Sequence, residues 1–403
     1  MRKLRLFEWI LIGFGMGIIA GLIVGPPIAV IKPAGDLFVR LLKMIIVPLV
    51  FATIVVGVAK ISPSKISRVF GKQVFWYIVT SIIAIAIGLL LVSVTGIGVG
   101  MPVGELATVE PKVPPPLSEV ILGIVPTNLI DAMAKGEILP IIFFGLIFGV
   151  AISFVGKVCE PLLNVIDGIA NAMYRVVRFI LWYAPIGVFA LIGWTVGTHG
   201  PGVLLPLASL IGVCWGGYII HALGVYSLGL RFLAKVRPLV WPVKMKEMLV
   251  MCLATCSGAA SLPVTMRCCE ENAGISKEIT GFVLPVGTTV NMDGTALYAA
   301  VCGVFLANAF GIPLGLSGNV IILFTALMAS IGTAAVPGAG MIMTMMVLSA
   351  VGVPLEGIAL IAGIDRILDM GRTAVNCYGD TVIAAIIAHS EGETLLPGIN
   401  IGK

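Results

Sequence analysis

Apolar runs long enough to cross a bilayer alternate along this chain with short loops in which lysine and arginine cluster. The first run covers residues 6–31 and the second about 37–58. Arg2, Lys3 and Arg5 precede the first, and Lys60, Lys65, Arg68 and Lys72 follow the second, which places both loops on the cytoplasmic side. A third span, about 74–99, leads to an external stretch at 101–117 stiffened by Pro111, Pro114, Pro115 and Pro116. The fourth region, about 121–155, is interrupted by Lys135, Gly136 and Glu137 and returns the chain to Lys157. Spans near 176–196 and 203–229 end at Arg231, Lys235, Arg237, Lys244 and Lys246, again on the cytoplasmic side.

After Lys246 the pattern changes, because two apolar segments are broken at their centres by small residues and proline. One, at 251–266, contains Ser257, Gly258, Ala259, Ala260, Ser261 and Pro263; the other, at 321–353, contains Gly332, Thr333, Pro337, Gly338 and Gly340. Irregular backbone at membrane depth is tolerated only where it lines a cavity, and its bare amides can hold a solute. Both segments read as re-entrant hairpins, the alternative being ordinary glycine-rich helices in a bundle. Arg267 and Lys277 after the first hairpin share the side of Lys246 before it, a full span at about 279–310 crosses outward, and the second hairpin enters from outside. The expected fold is therefore an all-α membrane protein with eight transmembrane helices and two re-entrant helical hairpins in an inverted repeat.

The last apolar segment carries Asp365, Asp369, Arg372, Asn376 and Asp380. At roughly 100° per residue these fall within an arc of about 80° on one helical face. Ionisable groups inside a membrane helix are costly and usually line a solute or ion path. Mutually neutralised pairs holding helices together are the alternative, but three acids to one arginine leave negative charge that a bound cation would satisfy. Between the hairpins, Asn291, Met292, Asp293, Gly294 and Thr295 suggest a helix unwound to expose carbonyls, the oxygen ligands that hard cations favour.

Composition agrees: of 403 residues 59% are hydrophobic and 11% charged, with a mean hydropathy of +1.12. The net charge of +5 follows from the basic loops and implies no nucleic-acid groove. The first run is too long for a signal-peptide core and reads as a retained span, with both termini cytoplasmic in a plasma (inner) membrane. Of eight cysteines, Cys252, Cys256, Cys268 and Cys269 are the nearest to a metal cluster, but no histidine lies nearby and the spacing fits no zinc pattern. They read as small buried thiols.

NMDGTALY from Asn291, GTAAVPGAG from Gly332 and DMGRTAVNCYGD from Asp369 make the whole chain resemble the dicarboxylate/amino acid:cation symporters, the family of glutamate transporters and neutral amino acid exchangers. The resemblance implies a homotrimer with an elevator mechanism. Its scaffold would be residues 1–70 (helices 1 and 2) and 119–200 (helices 4 and 5). Its transport domain would be 71–118 (helix 3 and the external linker) and 201–403 (helices 6 to 8 with both hairpins).

By the same resemblance Arg372 clamps a substrate carboxylate, Asp369 accepts its ammonium, and Thr373, Asn376, Thr295, Met292, Ser257 and Gly258 complete the substrate set. Backbone at Val336, Pro337 and Gly340 would close over it as an outer gate. Three sodium sites are implied: Gly287, Asn291, Asn376 and Asp380; Thr289, Ser330, Ile331 and Thr333; and Tyr77, Thr80, Ser81, Asn291, Asp293 and Thr295. Two departures stand out. Gly258 replaces a hydroxyl in the usually serine-rich first tip, and Cys256 occupies the place of a tip arginine that some members use to neutralise the acidic helix. Arg366 is expected either to take over that role or to pair at the cytoplasmic side, about 100° from Asp365.

Uptake of aspartate or glutamate with sodium is the expected function, with no cofactor beyond the coupling ion and no partner beyond substrate, bilayer and sister subunits. Proton coupling through Asp365 or Asp369, and a C4-dicarboxylate or neutral amino acid as substrate, are the alternatives within the family. Outside it, an intramembrane aspartyl protease built on Asp293 and Asp380 would leave the hairpins unexplained, and a pure channel would show no substrate-dependent sodium uptake. The chain is not expected to be an enzyme.

Overall fold

The computed structural model describes residues 6–59, 68–101, 122, 125–136, 138–333, 335 and 338–396. Every regular element among them is helical. The helices are α1 (Leu6–Val24), α2 (Lys32–Ala59), α3 (Arg68–Thr95), α4 (Leu129–Lys135), α5 (Ile138–Val155), α6 (Glu160–His199), α7 (Leu204–Ile220) and α8 (Val240–Lys244). There follow α9 (Lys246–Thr255), α10 (Gly258–Arg267), α11 (Lys277–Val290), α12 (Asp293–Ala309), α13 (Gly315–Gly332), α14 (Ala339–Ala350), α15 (Ile358–Ala362) and α16 (Asp365–Ser390). Among the described residues four helical stretches are long and apolar enough to cross a membrane, Val69–Thr95, Phe143–Met173, Pro201–Leu233 and Lys277–Ala309, as a multi-pass membrane protein requires. The basic residues at 2–5, 60 and 65, most of the external proline stretch, and Val336 and Pro337 lie outside the described residues.

Several boundaries differ from expectation for local reasons. The first span ends as an α-helix at Val24, because Gly25 adopts φ 67° and Pro26 then opens a 3₁₀ turn over Pro26–Ile31. The fourth region is two helices. Asn128 caps α4 by accepting from the Ile130 and Asp131 amides, and Gly136 ends it at φ 71° before α5 begins. The helix containing the 176–196 span begins at Glu160 and runs for 40 residues, about 60 Å at 1.5 Å per residue, so it is far longer than one bilayer crossing.

α1, α2, α5 and α6 pack on one another. Glycines let α1 approach α6 closely: a Cβ on Gly17 would lie 2.7 Å from the Phe189 carbonyl oxygen, and one on Gly21 2.7 Å from that of Gly193. The second packing group places α12 at its centre, against α3, α7, α13, α14 and α16. Every residue of α12 except Asn308 is buried, which suits a helix apolar on all sides.

Three breaks interrupt this second group. α9 and α10 are separated by Cys256, left-handed at φ 51°, and Ser257, which is extended and caps α10 by accepting from the Ala260 amide at 3.2 Å. α11 and α12 part at Asn291 and Met292. α13 stops at Gly332, and α14 starts after Gly338 at φ 79°, a left-handed geometry that glycine adopts without a Cβ penalty. The first and third breaks touch: the Ser257 hydroxyl donates to the Ala335 carbonyl at 2.9 Å and the Ala259 amide to the same oxygen at 3.2 Å.

Candidate functional site

α16 turns its polar face into the second packing group, where all three breaks meet it. Asp365, Asp369, Arg372 and Asp380 are each at most 6% exposed. The Arg372 guanidinium lies between two carboxylates, with Nη1 3.3 Å from Asp365 Oδ1 and Nη2 2.8 Å from Asp369 Oδ1. Nε also donates to Asp369 Oδ1 at 3.2 Å, while Nη2, though close, is not aligned for a hydrogen bond and is left as a donor without an acceptor. Below the guanidinium the Tyr298 ring sits 4.5 Å away, and its hydroxyl donates to Asp365 Oδ1 at 2.9 Å. Gly340 packs directly against the guanidinium.

Asp369 ties this cluster to the breaks. Its Oδ2 accepts from the Gly338 amide at 3.0 Å, and its Oδ1 accepts from the Thr373 hydroxyl at 3.3 Å. Arg366 reaches 3.9 Å from Asp369 Oδ2 and donates to the Thr255 carbonyl at 3.4 Å, a contact with the first tip. Between the two tips and α16 lies a cavity of about 20 Å³, bordered by Gly258, Met292, Thr295, Gly340, Thr373 and Asn376 among others. It has room for a water or two.

The oxygen-rich residues fall into two neighbouring groups. In one, Asn291 Nδ2 donates to Asp380 Oδ1 at 3.0 Å while Asn291 Oδ1 is buried without a hydrogen-bond partner, an oxygen that a hard cation would take. A Cβ on Gly287 would collide with Asp380 Oδ1 and come 2.6 Å from the Tyr77 hydroxyl, so glycine is what lets these groups converge. Asn376 Oδ1 accepts from the Gly294 amide at 2.8 Å, and its Nδ2 donates to the Thr295 hydroxyl at 3.1 Å.

In the other, Asp293 is fully buried, and Ser81 donates to its Oδ1 at 2.5 Å. Of the remaining residues in that set, Tyr77 donates to the Val283 carbonyl at 3.0 Å, and Thr80 bonds back to Trp76 at 2.9 Å. The hydroxyls of Thr289, Ser330 and Thr333 each bond a carbonyl of their own helix, Val286, Leu327 and Ala329, and Ile331 is half-buried beside Ser330. The structure shows no hydrogen bond joining Thr289 to the others. Ser257 is occupied by the opposite tip and by its own helix cap.

Residues 6–390 match the sodium:dicarboxylate symporter family. The chain belongs to that family. Its members are transporters and not enzymes. The chain is similar to the proton/sodium-glutamate symport protein of Geobacillus stearothermophilus, 37% identical over 98% of this chain and 96% of that protein. It is also similar to the proton/glutamate-aspartate symporter of Escherichia coli (strain K12), at 37% over 90% of this chain and 85% of that one. A C4-dicarboxylate transport protein of Dechloromonas aromatica (strain RCB) is 36% identical over 95% and 87% respectively.

Three side chains of this transporter's site were not singled out from the sequence. Tyr226 donates to Asp293 Oδ2 at 2.7 Å, and His221 Nε2 lies 3.1 Å from the same oxygen. Five residues apart on an α-helix they would stand about 140° from each other. Here α7 continues as a π-helical stretch over His221–Tyr226, whose wider turn brings both to one carboxylate. Tyr298, beneath Arg372, sits in a run of apolar residues and reads as core. The only available signal was the pair of polar rings inside an otherwise apolar span.

Proposed function

We propose that this chain takes up an acidic amino acid, aspartate or glutamate, together with sodium ions. The observation that carries the reading is the alternation Asp365, Arg372, Asp369 beneath the tip cavity: a guanidinium aimed at a distal carboxylate stands beside a carboxylate that can exchange its Gly338 contact for a substrate ammonium. Asn291 and Asp380 supply the oxygens for sodium, supported by the orphaned Asn291 Oδ1, with the Asp293 group and the Thr289, Ser330, Ile331 and Thr333 group as further sites. Relatives named for proton/sodium-glutamate and proton/glutamate-aspartate symport support the acidic substrate and keep the proton as the rival coupling ion.

The second reading, a C4-dicarboxylate, is favoured by one feature. Asp369 is already compensated by Arg372 and Arg366 and does not need an ammonium to be neutralised. Radiolabelled aspartate uptake into proteoliposomes under an inward sodium or proton gradient, with glutamate and succinate as competitors, separates these readings. Sodium-driven uptake blocked by glutamate and not by succinate is expected; succinate competition at equal strength, or uptake driven by protons alone, overturns the corresponding part.

In this proposal the chain is a homotrimer in a plasma (inner) membrane, with eight spans, two re-entrant hairpins and cytoplasmic termini. Residues 1–70 and 119–200 form the fixed scaffold, and 71–118 and 201–403 the moving domain. That α1, α2, α5 and α6 pack far more extensively on one another than on the remaining helices supports that division. The contact between the tips at Ala335, with the Gly338 amide on Asp369, is the latch that opens to admit substrate.

A further inference from the structure

On the side of α16 away from the carboxylate cluster lies a second cavity, about 230 Å³ and open at its edge. One wall is formed by α7 and the π-helical stretch that continues it, Trp215, Ile219, Ala222 and Leu223; the other is Gly371, Ala374 and Tyr378 of α16. The small residues Ala222 and Ala374 leave space between the helices unfilled, while at Gly371 the helices approach closely, a Cβ there meeting the Tyr218 ring at 2.7 Å. Pro242 and Leu249 border it at the α8 and α9 end. From Trp215 to Leu223 the wall spans eight residue steps, about 12 Å. It offers a slot for a chain of methylene groups and almost nothing polar.

At the α8 and α9 end the surroundings change character. Between residues 231 and 246 the sequence carries Arg231, Lys235, Arg237, Lys244 and Lys246 and no acid. Glu247, which follows, is paired with Arg267. Leu239 is 85% exposed, and Val243 and Val250 are exposed beside these bases. Exposed aliphatics interleaved with lysine and arginine are what an anionic bilayer interface selects. We infer that the crevice takes an acyl chain of an anionic phospholipid from the surrounding leaflet, its headgroup held by Lys244, Lys246 and Arg237. Its occupant then rests on the back of the helix that presents Arg372, Thr373 and Asn376 on its other faces.

The test needs no transport measurement. The purified full chain is reconstituted in phosphatidylcholine vesicles containing a minor fraction of either phosphatidylglycerol or phosphatidylcholine brominated at mid-chain, and the Trp215 contribution to fluorescence is taken as the difference between the unsubstituted protein and Trp215→Phe. Brominated phosphatidylglycerol is expected to quench that contribution at a several-fold lower mole fraction than brominated phosphatidylcholine. Lys244→Gln with Lys246→Gln is expected to remove the difference. Filling the slot from either wall, by Ala374→Leu or Ala222→Leu, is expected to suppress quenching by both lipids in protein of unchanged helicity. Equal quenching by the two lipids, no quenching of Trp215, or quenching that survives both filling variants overturns the proposal.

Discussion

Gly340→Ala tests whether Arg372 is held in a fixed pose by its neighbours. A Cβ at position 340 would sit 2.8 Å from Arg372 Nε and closer still to Cζ and Nη1. Ordinary contact begins near 3.5 Å, so the guanidinium must retreat by about 0.7 Å or more. What yields is the end of a flexible side chain and not backbone, so α14 keeps its place and the protein folds. Retreat takes Nη2 out of its 2.8 Å approach to Asp369 and lifts the group from the Tyr298 ring. The hydrogen bond that Arg372 would make to a substrate carboxylate is charge-assisted and contributes about 1.5–3 kcal/mol, so losing its alignment weakens binding by about 10- to 100-fold. The assay is competition of unlabelled aspartate against labelled aspartate uptake in proteoliposomes, with thermal unfolding measured on the same preparation. A large rise in the half-inhibiting concentration with an unfolding midpoint within a few degrees of the parent is expected. Unchanged aspartate affinity would refute the reasoning, because it would mean that the guanidinium does not need the position that Gly340 leaves open.

Arg372→Cys is expected to abolish acidic substrate uptake while admitting neutral amino acids, read by competition with both classes in the same vesicles; retained aspartate affinity would remove Arg372 as the clamp. Asp380→Asn leaves the Asn291 contact available but removes a charge, and a sodium titration of uptake is expected to shift to higher concentration with substrate selectivity intact. Gly258→Ser returns a hydroxyl to the tip. Its Cβ would lie 3.3 Å from Thr288 Cγ2 and 3.5 Å from Ala335 Cβ, which the site can absorb, so aspartate affinity is expected to rise by up to about tenfold in uptake competition. Tyr226→Phe removes one of three donors to the buried Asp293 and is expected to weaken sodium dependence more than aspartate affinity, with a sodium titration again as the check.

The polar face of α16 was readable because it depends only on the 3.6-residue period, a property of the chain itself. The breaks at Ser257, Asn291 and Gly338 were readable for a similar reason, since glycine, proline and short polar residues act locally on φ and ψ. Contacts carried by backbone atoms were not. Ala335 receives two hydrogen bonds through a carbonyl oxygen that any residue would offer. The His221 and Tyr226 contacts were hidden by assuming one helical period where the chain changes to another. Arg366 had two destinations on sequence grounds, and its contact with the first tip runs through the Thr255 carbonyl, again a backbone atom. The early end of α1 was marked by Gly25, Pro26 and Pro27, but apolar continuity through Ile31 outweighed that signal.

In the proposed function, coupling to a cation would follow from the charges that these breaks bring together. Asp365 and Asp369 against Arg366 and Arg372 sum to zero before any substrate arrives. Asp380 is joined by Asn291, and Asp293 by Ser81, Tyr226 and His221, so among the described residues neither acid is paired with a lysine or arginine. An acidic amino acid adds one further net negative charge beside them. Two like charges 4 Å apart cost about 4 kcal/mol at an effective dielectric of 20, enough to cancel a binding preference of nearly a thousandfold. A small cation at the proposed Asn291 and Asp380 site would remove that penalty from the substrate and gain from it in turn, and because the coupling energy is shared, each ligand would raise the other's affinity by the same factor. On that proposal, the anion and its counter-ion would bind as a unit before the latch closes.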